Sequence, residues 1–307
     1  FGSSRRPASR QVVCGAMGSN ASAAPRQGGA LQVASAAGGV AGLRVVADPY
    51  KESKPEGWTR FVCFSDTHGL HDQIPRKHCP PADVLLHAGD LTNTGELEEV
   101  ESLAAWLQRY PAARKIIIAG NHDVTLDREY YHRSWRKFHP SPYSCTKVRE
   151  ALTRAEGCTY LQDELLVADG YRIFGSPWQP EFCDWAFNLP RGEACRKAWA
   201  RIPEHVHILL THGPPFGQND VTSSAQHVGC EDLLAAVRRR AVPVSLAGHL
   251  HSGYGVSSDG VTLFVNASTC TEQYEPARPP IVLDLPPAAA LDRALAACAS
   301  GRPVDGG

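Results

Sequence analysis

Short apolar runs alternate with longer stretches of mixed polarity along most of the chain. Several of these runs carry apolar side chains at successive positions, which is typical of strands that are covered on both faces. The pattern predicts eight strands, at residues 60–64, 83–88, 115–119, 171–175, 205–210, 243–248, 261–266 and 280–285. We therefore expect the sheet or sheets that they form to lie inside the protein.

Two stretches between the strands have the spacing of an amphipathic helix. In residues 95–110 the apolar positions recur every three or four residues. Residues 230–240 predict a second helix, whose basic end suits the negative end of a helix dipole. The early order strand, helix, strand, followed by a strand-rich half, predicts one α/β domain over residues 58–287.

The segments on either side of this domain differ from it in composition. We expect residues 1–57 to be a disordered leader or an organelle transit peptide, because residues 1–47 contain five arginines and no acidic residue. These alternatives stay open, and so does whether the natural chain starts at Met17, the only methionine. Residues 288–307 are rich in alanine and end in glycine, which predicts a marginal helix and a flexible C-terminal tail.

The composition excludes several classes of protein. With 43% hydrophobic residues among 307, the chain can bury a large core, which excludes a wholly disordered protein. Its 31 basic and 32 acidic residues nearly cancel, so neither extended nucleic acid nor a membrane surface is an expected partner. The sequence has no apolar run of roughly 18 residues that would predict a membrane-spanning helix. The ten cysteines form no C-x-x-C pair, which indicates reduced thiols in an intracellular protein of the cytoplasm or an organelle.

Polar side chains that can bind metal follow five of the predicted strands. Each of these strands is followed by Asp, Asn or His, and a nearby glycine lets the backbone turn sharply. Because the carboxyl ends of parallel strands line one edge of a sheet, where such folds bind ligands, we expect these side chains to lie together. The seven candidates are Asp66, His68, Asp90, Asn121, His212, His249 and His251.

The candidates combine carboxylate and amide oxygens with imidazole nitrogens. Such donors suit Mn, Fe, Zn, Ni or Co better than soft copper or an iron–sulfur cluster, and Mg also stays open. Seven side chains exceed the four ligands of a single tetrahedral zinc ion. The sequence therefore predicts two neighbouring divalent metal ions that share a carboxylate.

The ordered motifs D-x-H, G-D, G-N-H-D, T-H-G and G-H-x-H, between Asp66 and His251, resemble the calcineurin-like metallophosphoesterase superfamily. Longer segments such as "FSDTHGLH", "LLHAGDLTNTG" and "IFGSPWQPEFCDWAFNLPRG" resemble its metallophosphoesterase-domain-containing subgroup, the brain-type phosphodiesterases. This second resemblance covers roughly residues 58–287. It implies a two-sheet β-sandwich flanked by helices.

The resemblance also implies a role for each candidate. One metal ion would be held by Asp66, His68, Asp90 and His251. The second would be held by Asp90, Asn121, His212 and His249, so that Asp90 bridges the two ions. A hydroxide bound by both ions would attack phosphorus in line, and His122 would be the catalytic imidazole beside the leaving oxygen.

Two positions bear on how far the resemblance holds. Some members of the subgroup carry glycine at the position of His249, which weakens their second metal site and their activity. Because this chain keeps the histidine, we expect a competent enzyme. Many members of the superfamily carry Asp at the position of Asn93, where it orients the catalytic histidine. An amide can orient the ring of His122 but cannot stabilise its cation as a carboxylate does.

These features predict a metal-dependent phosphodiesterase that hydrolyses small phosphodiesters such as cyclic nucleotides. Two alternatives stay open: a phosphomonoesterase or protein phosphatase, and a nucleotide-binding protein with weak activity. Trp178 is a candidate for stacking against a substrate base, although it could instead pack its own loop. His87 and His207 lie inside apolar runs, where a hydrogen-bonded core histidine is the expected reading.

Overall fold

The computed structural model describes residues 42–299 of the chain. The strands in this range are β1 Arg44–Val46, β2 Thr59–Phe64, β3 Ala82–Ala88, β4 Ala112–Ile118, β5 Cys158–Tyr160, β6 Glu164–Ala168, β7 Tyr171–Ser176, β8 Gln179–Pro180, β9 Asn188–Leu189, β10 Ile208–Thr211, β11 Val244–Ala247, β12 Gly255–Ser258, β13 Leu263–Asn266 and β14 Ile281–Leu285. The α-helices are α1 Leu97–Arg109, α2 Arg128–Ser134, α3 Cys145–Leu152, α4 Glu193–Trp199, α5 Glu231–Arg239 and α6 Ala288–Ala299.

Two six-stranded sheets form the body of the molecule. The first has the strand order β1-β14-β2-β3-β4-β5, and the second has the order β12-β13-β11-β10-β7-β6. Strands β2 to β5 run parallel in the first sheet. Strands β13, β11, β10 and β7 run parallel in the second. The outer strands of both sheets are antiparallel to their neighbours, apart from β5, which continues the parallel set.

Alternate side chains of the central strands point into two different apolar layers. In β2, Phe61 and Cys63 join the core between the two sheets, whereas Val62 and Phe64 join the core beneath the helices of the first sheet. This two-residue period is that of an extended strand, and both faces are apolar because both are covered. The continuous apolar runs of the sequence are thereby explained.

Helices cover the outer face of each sheet. The buried residues of α1, α2 and α3 pack in one cluster with the outer face of the first sheet, and those of α4 and α5 pack with the second. Helix α1 begins with a capping box, in which Glu96 and Glu99 each accept a hydrogen bond from the other residue's backbone N–H. The predicted two-sheet sandwich flanked by helices is confirmed.

The predicted leader extends too far along the chain. Residues 44–46 form β1 and pair antiparallel with β14, so they belong to the sandwich and not to a disordered segment. The guanidinium of Arg44 pairs with the buried carboxylate of Asp284, which ties this strand to the first sheet. A three-residue edge strand is too short to stand out in the sequence. The carbonyl oxygens of Pro49 and Glu52, also within the predicted leader, accept hydrogen bonds from Arg60. Residues 1–41 of the predicted leader lie outside the described residues.

The predicted flexible tail is also partly wrong. Residues 288–299 form α6, whose Leu291 is fully buried in the core between the sheets. Asp292 of this helix accepts a hydrogen bond from Arg172 and lies 3.0 Å from Nε2 of His207. The buried side chain of Leu291 and the charged contact of Asp292 therefore stabilise α6, whose alanine-rich sequence alone would give it only marginal stability. Residues 300–307 lie outside the described part of the chain.

Every helix within residues 42–299 is too short or too polar to span a bilayer.

One buried ion pair joins strands β2 and β14 of the first sheet. Both side-chain oxygens of Asp284 accept hydrogen bonds from Arg60, at 2.8 and 3.0 Å, and both side chains are buried. Burial raises the pKa of Asp284, but the guanidinium groups of Arg60 and Arg44 outweigh it and hold the pKa below its usual value. The stabilisation from this carboxylate is thus present above a pH of about 4 and is lost as the pH falls through the lowered pKa.

We expect Asp284→Asn to lower the free energy of unfolding by about 3–5 kcal/mol at neutral pH, because it leaves Arg60 buried without a counter-charge. Urea unfolding followed by circular dichroism would measure the change. Asp169→Asn is the matched control, since it breaks an ion pair with Arg114 that is about half exposed and is expected to change stability by less than about 1 kcal/mol. Equal effects of the two substitutions would contradict the prediction.

Candidate metal centre

The structure brings the seven candidate ligands together at one end of the sandwich. Strands β2, β3 and β4 of the first sheet and β10 and β11 of the second all end there. The residues that follow these strands meet across the gap between the sheets, and a bridge between Ser65 and Ser268 closes the gap next to them. The site is therefore built from the carboxyl ends of parallel strands in two sheets.

The first group of candidate ligands surrounds a single point. Nε2 of His68 lies 3.2 Å from Nε2 of His251 and 3.7 Å from Oδ2 of Asp90. Oδ1 of Asp66 lies 3.4 Å from the same nitrogen of His251. Nδ1 of His251 is 2.8 Å from the carbonyl oxygen of Thr271, to which it donates, so Nε2 of the neutral ring carries the lone pair. Ligands of a tetrahedral ion with bonds of about 2.0–2.1 Å stand about 3.3–3.4 Å apart, which fits this spacing.

The second group lies on the other side of Asp90. Nε2 of His212 is 3.3 Å from Oδ1 of Asp90 and 3.0 Å from Oδ1 of Asn121. His249 completes a cluster with His212 and Asp90. Nδ1 of His212 donates to the carbonyl oxygen of Ala88 at 2.9 Å, which again leaves Nε2 to face the cluster. One oxygen of Asp90 faces each group, as a bridging carboxylate would.

The donor atoms of both groups fit divalent cations. In each group, carboxylate or amide oxygen atoms lie 3.0–3.4 Å from an imidazole Nε2, which carries a lone pair when the ring is neutral. Atoms that only accept hydrogen bonds repel one another at this distance unless a positive charge lies among them. A proton on one ring or a metal ion supplies that charge. The mixture of nitrogen and oxygen donors suits a first-row transition metal.

The charge state of the histidines follows from their surroundings. Burial lowers the pKa of His68 and of His249 to about 3, so both rings stay neutral, which is the form that binds metal. Burial also lowers the pKa of His212, but the carboxylates of Asp90 and Asp66 outweigh it and raise the pKa to about 9. A cation in the second group therefore replaces the proton that His212 would otherwise carry.

The backbone at the site is held in an unusual conformation. Four of the candidate ligands have positive φ angles, in the left-handed region that costs a non-glycine residue about 1–3 kcal/mol. They are Asp66 at 52°, His68 at 44°, Asp90 at 51° and His249 at 67°. Hydrogen bonds from backbone to carboxylate hold this arrangement: the N–H of His249 donates to Asp66 at 3.0 Å, and the N–H of His122 donates to Asp90 at 2.8 Å. These hydrogen bonds fix the orientation of the Asp66 and Asp90 carboxylates.

Asp123 ties two of the ligand-bearing loops together. Its buried carboxylate accepts hydrogen bonds from the backbone of Leu91 and Thr92, after β3, and of Gly120, after β4, at 2.8–3.1 Å. The loops that carry Asp90 and Asn121 therefore cannot separate. Asp123 was not among the residues predicted to form the site, although its place in the G-N-H-D motif was the available signal.

His122 lies at the edge of the first group, with its ring centroid 4.6 Å from that of His68. Its Nδ1 is 2.9 Å from the backbone carbonyl oxygen of Asn93, and this contact orients the ring. The side-chain amide of Asn93 turns away and donates to Glu99 at 3.1 Å. The side chain of Asn93 therefore does not contact His122 through its amide. Its backbone carbonyl orients the ring, and the catalytic role of His122 stays a prediction.

Trp178 is not brought to the metal groups. Its indole N–H donates to Asp163 at 2.9 Å, and its ring packs edge-on against Phe187, with centroids 5.5 Å apart. It lines a separate cavity of about 1070 Å³ between α2, α3 and α4, which contains none of the candidate ligands. Trp178 therefore packs its loop, the alternative left open above.

Three other aromatic side chains, which the sequence analysis left without a role, lie at the metal groups. The ring of Tyr274 is 4.8 Å from that of His68, and the ring of Phe182 is 5.6 Å from that of His249. Trp185 lies against His122. All three stand in loops, where no periodicity shows which way a side chain points.

Gly248 has no space for a side chain, which generates a prediction. A Cβ atom there would lie 2.0 Å from Oγ of Ser65 and 2.3 Å from Oδ2 of Asp66. We expect Gly248→Ala to displace Asp66 and to weaken binding of Zn²⁺ by about 10-fold to 100-fold, the range found when a ligand loses its support. Competition with a chromophoric chelator would measure it. Gly217→Ala adds backbone strain, because its φ is +72°, but its added atom meets nothing within 4 Å, so it is the control for strain without a clash at the site. Equal affinities of the two variants would contradict the prediction.

Comparison with known proteins agrees with this geometry. The model of the calcineurin-like phosphoesterase family matches residues 59–253. The Metallophosphoesterase domain-containing protein 1 of Homo sapiens and that of Mus musculus are each 49% identical to this chain over 250 residues, which cover 78% of this chain and 74% of each relative. One solved structure has a TM-score of 0.50 at 15% identity, covers 68% of this chain and 90% of its own, and supports the fold alone. The chain therefore belongs to the calcineurin-like phosphoesterase family, whose members hydrolyse phosphoric esters with a dinuclear metal centre.

Proposed function

We propose that this protein is a phosphodiesterase that acts on small diesters such as cyclic nucleotides. The observation that carries the proposal is the cavity onto which the metal groups open. It has a volume of about 420 Å³ and is lined by ligands of both groups together with His122. This volume is in the range of small-molecule sites, whereas a protein phosphatase has to admit a segment of another protein.

The charges that line the cavity favour a diester over a monoester. Arg191 is the single Lys or Arg side chain among the described residues that line it, and its guanidinium already donates to the carbonyl oxygens of Val228 and Gly229. Glu181 and Glu272 line the same cavity. A phosphomonoester carries a second negative charge that these carboxylates repel and no free cationic side chain of the lining offsets. The singly charged diester avoids that penalty.

An exposed aromatic ring supports a substrate with a flat group. Phe182 is 54% exposed, although phenylalanine is usually buried, and its ring stands at the mouth of the cavity beside His249. A nucleobase can stack on such a ring, whichever base it is, because every base has a π face. Phe182, rather than the earlier candidate Trp178, is therefore the proposed stacking partner of the base.

The bound metal ions, Asp90 and His122 have different roles in the proposed reaction. When bound, two divalent cations supply positive charge to the phosphoryl oxygens and a water of lowered pKa as the nucleophile. Asp90 holds the two ligand groups at a fixed separation through its two oxygens. His122 has Nδ1 engaged by Asn93, which leaves Nε2 to donate a proton to the leaving oxygen.

We expect the protein, stripped with a chelator and resupplied with Mn²⁺, Co²⁺, Ni²⁺, Zn²⁺, Fe²⁺ or Mg²⁺, to hydrolyse bis-4-nitrophenyl phosphate faster than 4-nitrophenyl phosphate. The imidazole donors predict higher activity with the transition metals than with Mg²⁺. Release of nitrophenolate measures both rates, and a screen of cyclic nucleotides follows with the best metal. The double variant Asp66→Ala, His249→Ala is expected to be at least about 100-fold slower, because it removes one ligand from each group.

Two results would overturn this function. A large preference for the monoester would make the protein a phosphomonoesterase. Diester rates equal to those of the double variant with every metal, combined with clearly fewer than two bound ions per chain by elemental analysis, would instead indicate a nucleotide-binding protein with weak activity.

Phe182 provides a separate test of the substrate. We expect Phe182→Ala to raise KM for a cyclic nucleotide by about 5-fold to 100-fold, the value of one base–aromatic stack, with kcat little changed. Initial rates over a range of substrate concentrations would separate the two parameters. Phe182→Tyr keeps the ring and should behave as the parent. Val167→Ala, which removes an exposed apolar side chain on β6, is the control for surface effects. An unchanged KM in Phe182→Ala would exclude stacking on this ring.

A further inference from the structure

The imidazole of His122 lies flat against the indole of Trp185. Their ring centroids are 4.2 Å apart and their planes differ by 25°, which is a stacked arrangement. Trp185 is buried within the core beneath the helices of the first sheet, although it belongs to the irregular loop between β8 and β9. A tryptophan from a loop distant in the sequence thus covers one face of the imidazole ring of His122.

The loop holds Trp185 in place from both sides. The backbone N–H of Phe187 donates to the carboxylate of Asp127, the N-cap residue of α2, at 3.0 Å. On the other side, the hydroxyl of Tyr130 donates to the backbone oxygen of Asp184. Asp127 and Tyr130 stand just after the loop that carries His122, so the indole and the imidazole share one support.

Three contacts together fix the orientation of the imidazole. The carbonyl oxygen of Asn93 accepts from Nδ1 and so fixes the ring within its own plane. Trp185 covers one face, and the ring of His68 approaches at 83° with a centroid distance of 4.6 Å. Rotation about the bond between Cβ and Cγ would push the imidazole into the indole. The remaining nitrogen, Nε2, is therefore the one available to the cavity.

We propose that Trp185 is a positioning residue, which holds the plane of the His122 ring so that Nε2 points at the leaving oxygen. This inference rests on the proposed phosphodiesterase function and on His122 as its proton donor. As the bond from phosphorus to the leaving oxygen breaks, the proton of Nε2 passes to that oxygen, and water returns a proton to His122 afterwards. Trp185 is not among the residues that line the cavity onto which the candidate ligands open.

The inference predicts a dependence on the leaving group. A 4-nitrophenolate leaves readily without a proton, whereas phenolate needs one in the transition state. Loss of the correct ring orientation should therefore slow the phenyl ester and spare the nitrophenyl ester. A general structural defect would slow both esters equally.

The test compares phenyl methyl phosphate with 4-nitrophenyl methyl phosphate, using the metal-loaded protein. We expect Trp185→Leu to lower kcat for the phenyl ester by about 10-fold to 100-fold, with KM and the nitrophenyl rate little changed, because a positioned acid is worth about 100-fold or more. Trp185→Phe, which keeps a flat ring, should recover most of the loss. In the background of His122→Ala, Trp185→Leu should have no further effect.

Controls separate the inference from folding and from the proposed function. Trp185→Met fills the space with a flexible side chain if the leucine variant does not fold, and the metal content of each variant is measured. Trp135→Leu removes a partly buried tryptophan elsewhere and should leave the ratio of the two rates unchanged.

An equal loss on both esters, or an additive effect with His122→Ala, would overturn the role of Trp185 alone. The role of Trp185 would also be overturned if both Trp185→Leu and Trp185→Met kept the parent's ratio of phenyl-ester to nitrophenyl-ester rates while His122→Ala still slowed the phenyl ester selectively. A parent protein that hydrolyses neither diester with any metal would overturn the proposed function, and the inference with it.

Discussion

A buried carboxylate that faces two sets of imidazoles is the constraint on which the site depends. Asp90 is almost fully buried, and a carboxylate in such a place is stable only with positive charge or hydrogen-bond donors around it. The histidines on both sides, the backbone N–H of His122 and the proton or ion beside His212 meet that need. The strands must therefore end where they do, because a shift of one residue would turn these side chains away.

The same arrangement strains the backbone at the candidate ligands. Left-handed conformations at four ligands cost free energy, and the apolar layers of the sandwich offset it. The support is local as well. Asp66 and Asp90 accept hydrogen bonds from loops that belong to other strands, and Asp123 joins the loops after β3 and β4. Hydrogen bonds to the candidate ligands, together with the surrounding core, therefore hold the site rigid.

Much of this arrangement could be predicted from the sequence, and the missing parts have physical reasons. The eight apolar runs and helices α1 and α5 were predictable because a buried strand or an amphipathic face repeats over several residues. Strand β1 is three residues long, and β12 is a largely polar edge strand, so neither leaves such a pattern. The docking of α6 depends on Leu291 meeting a core that only the folded chain creates.

The candidate site divides in the same way. The placement of the candidate ligands in one region was predictable because each motif follows an apolar run, and the ends of parallel strands meet at one edge. The positions of the aromatic residues were not predictable. Phe182, Trp185 and Tyr274 belong to loops whose course depends on tertiary contacts, so the sequence did not indicate that these side chains, and not Trp178, lie beside the candidate ligands. The orientation of His122 by a backbone carbonyl is also invisible in a sequence, since every residue has one.

Both sheets contribute side chains to each ligand group, which links metal binding to the stability of the folded protein. His251, His212 and His249 come from one sheet, and their partner ligands come from the other, so each bound ion joins the two halves of the sandwich. An ion that binds the folded chain alone adds about 2.7 kcal/mol to the free energy of unfolding at 100 times its dissociation constant. The supply of metal in the cell would then set the resistance of this protein to proteolytic turnover as well as its catalytic rate.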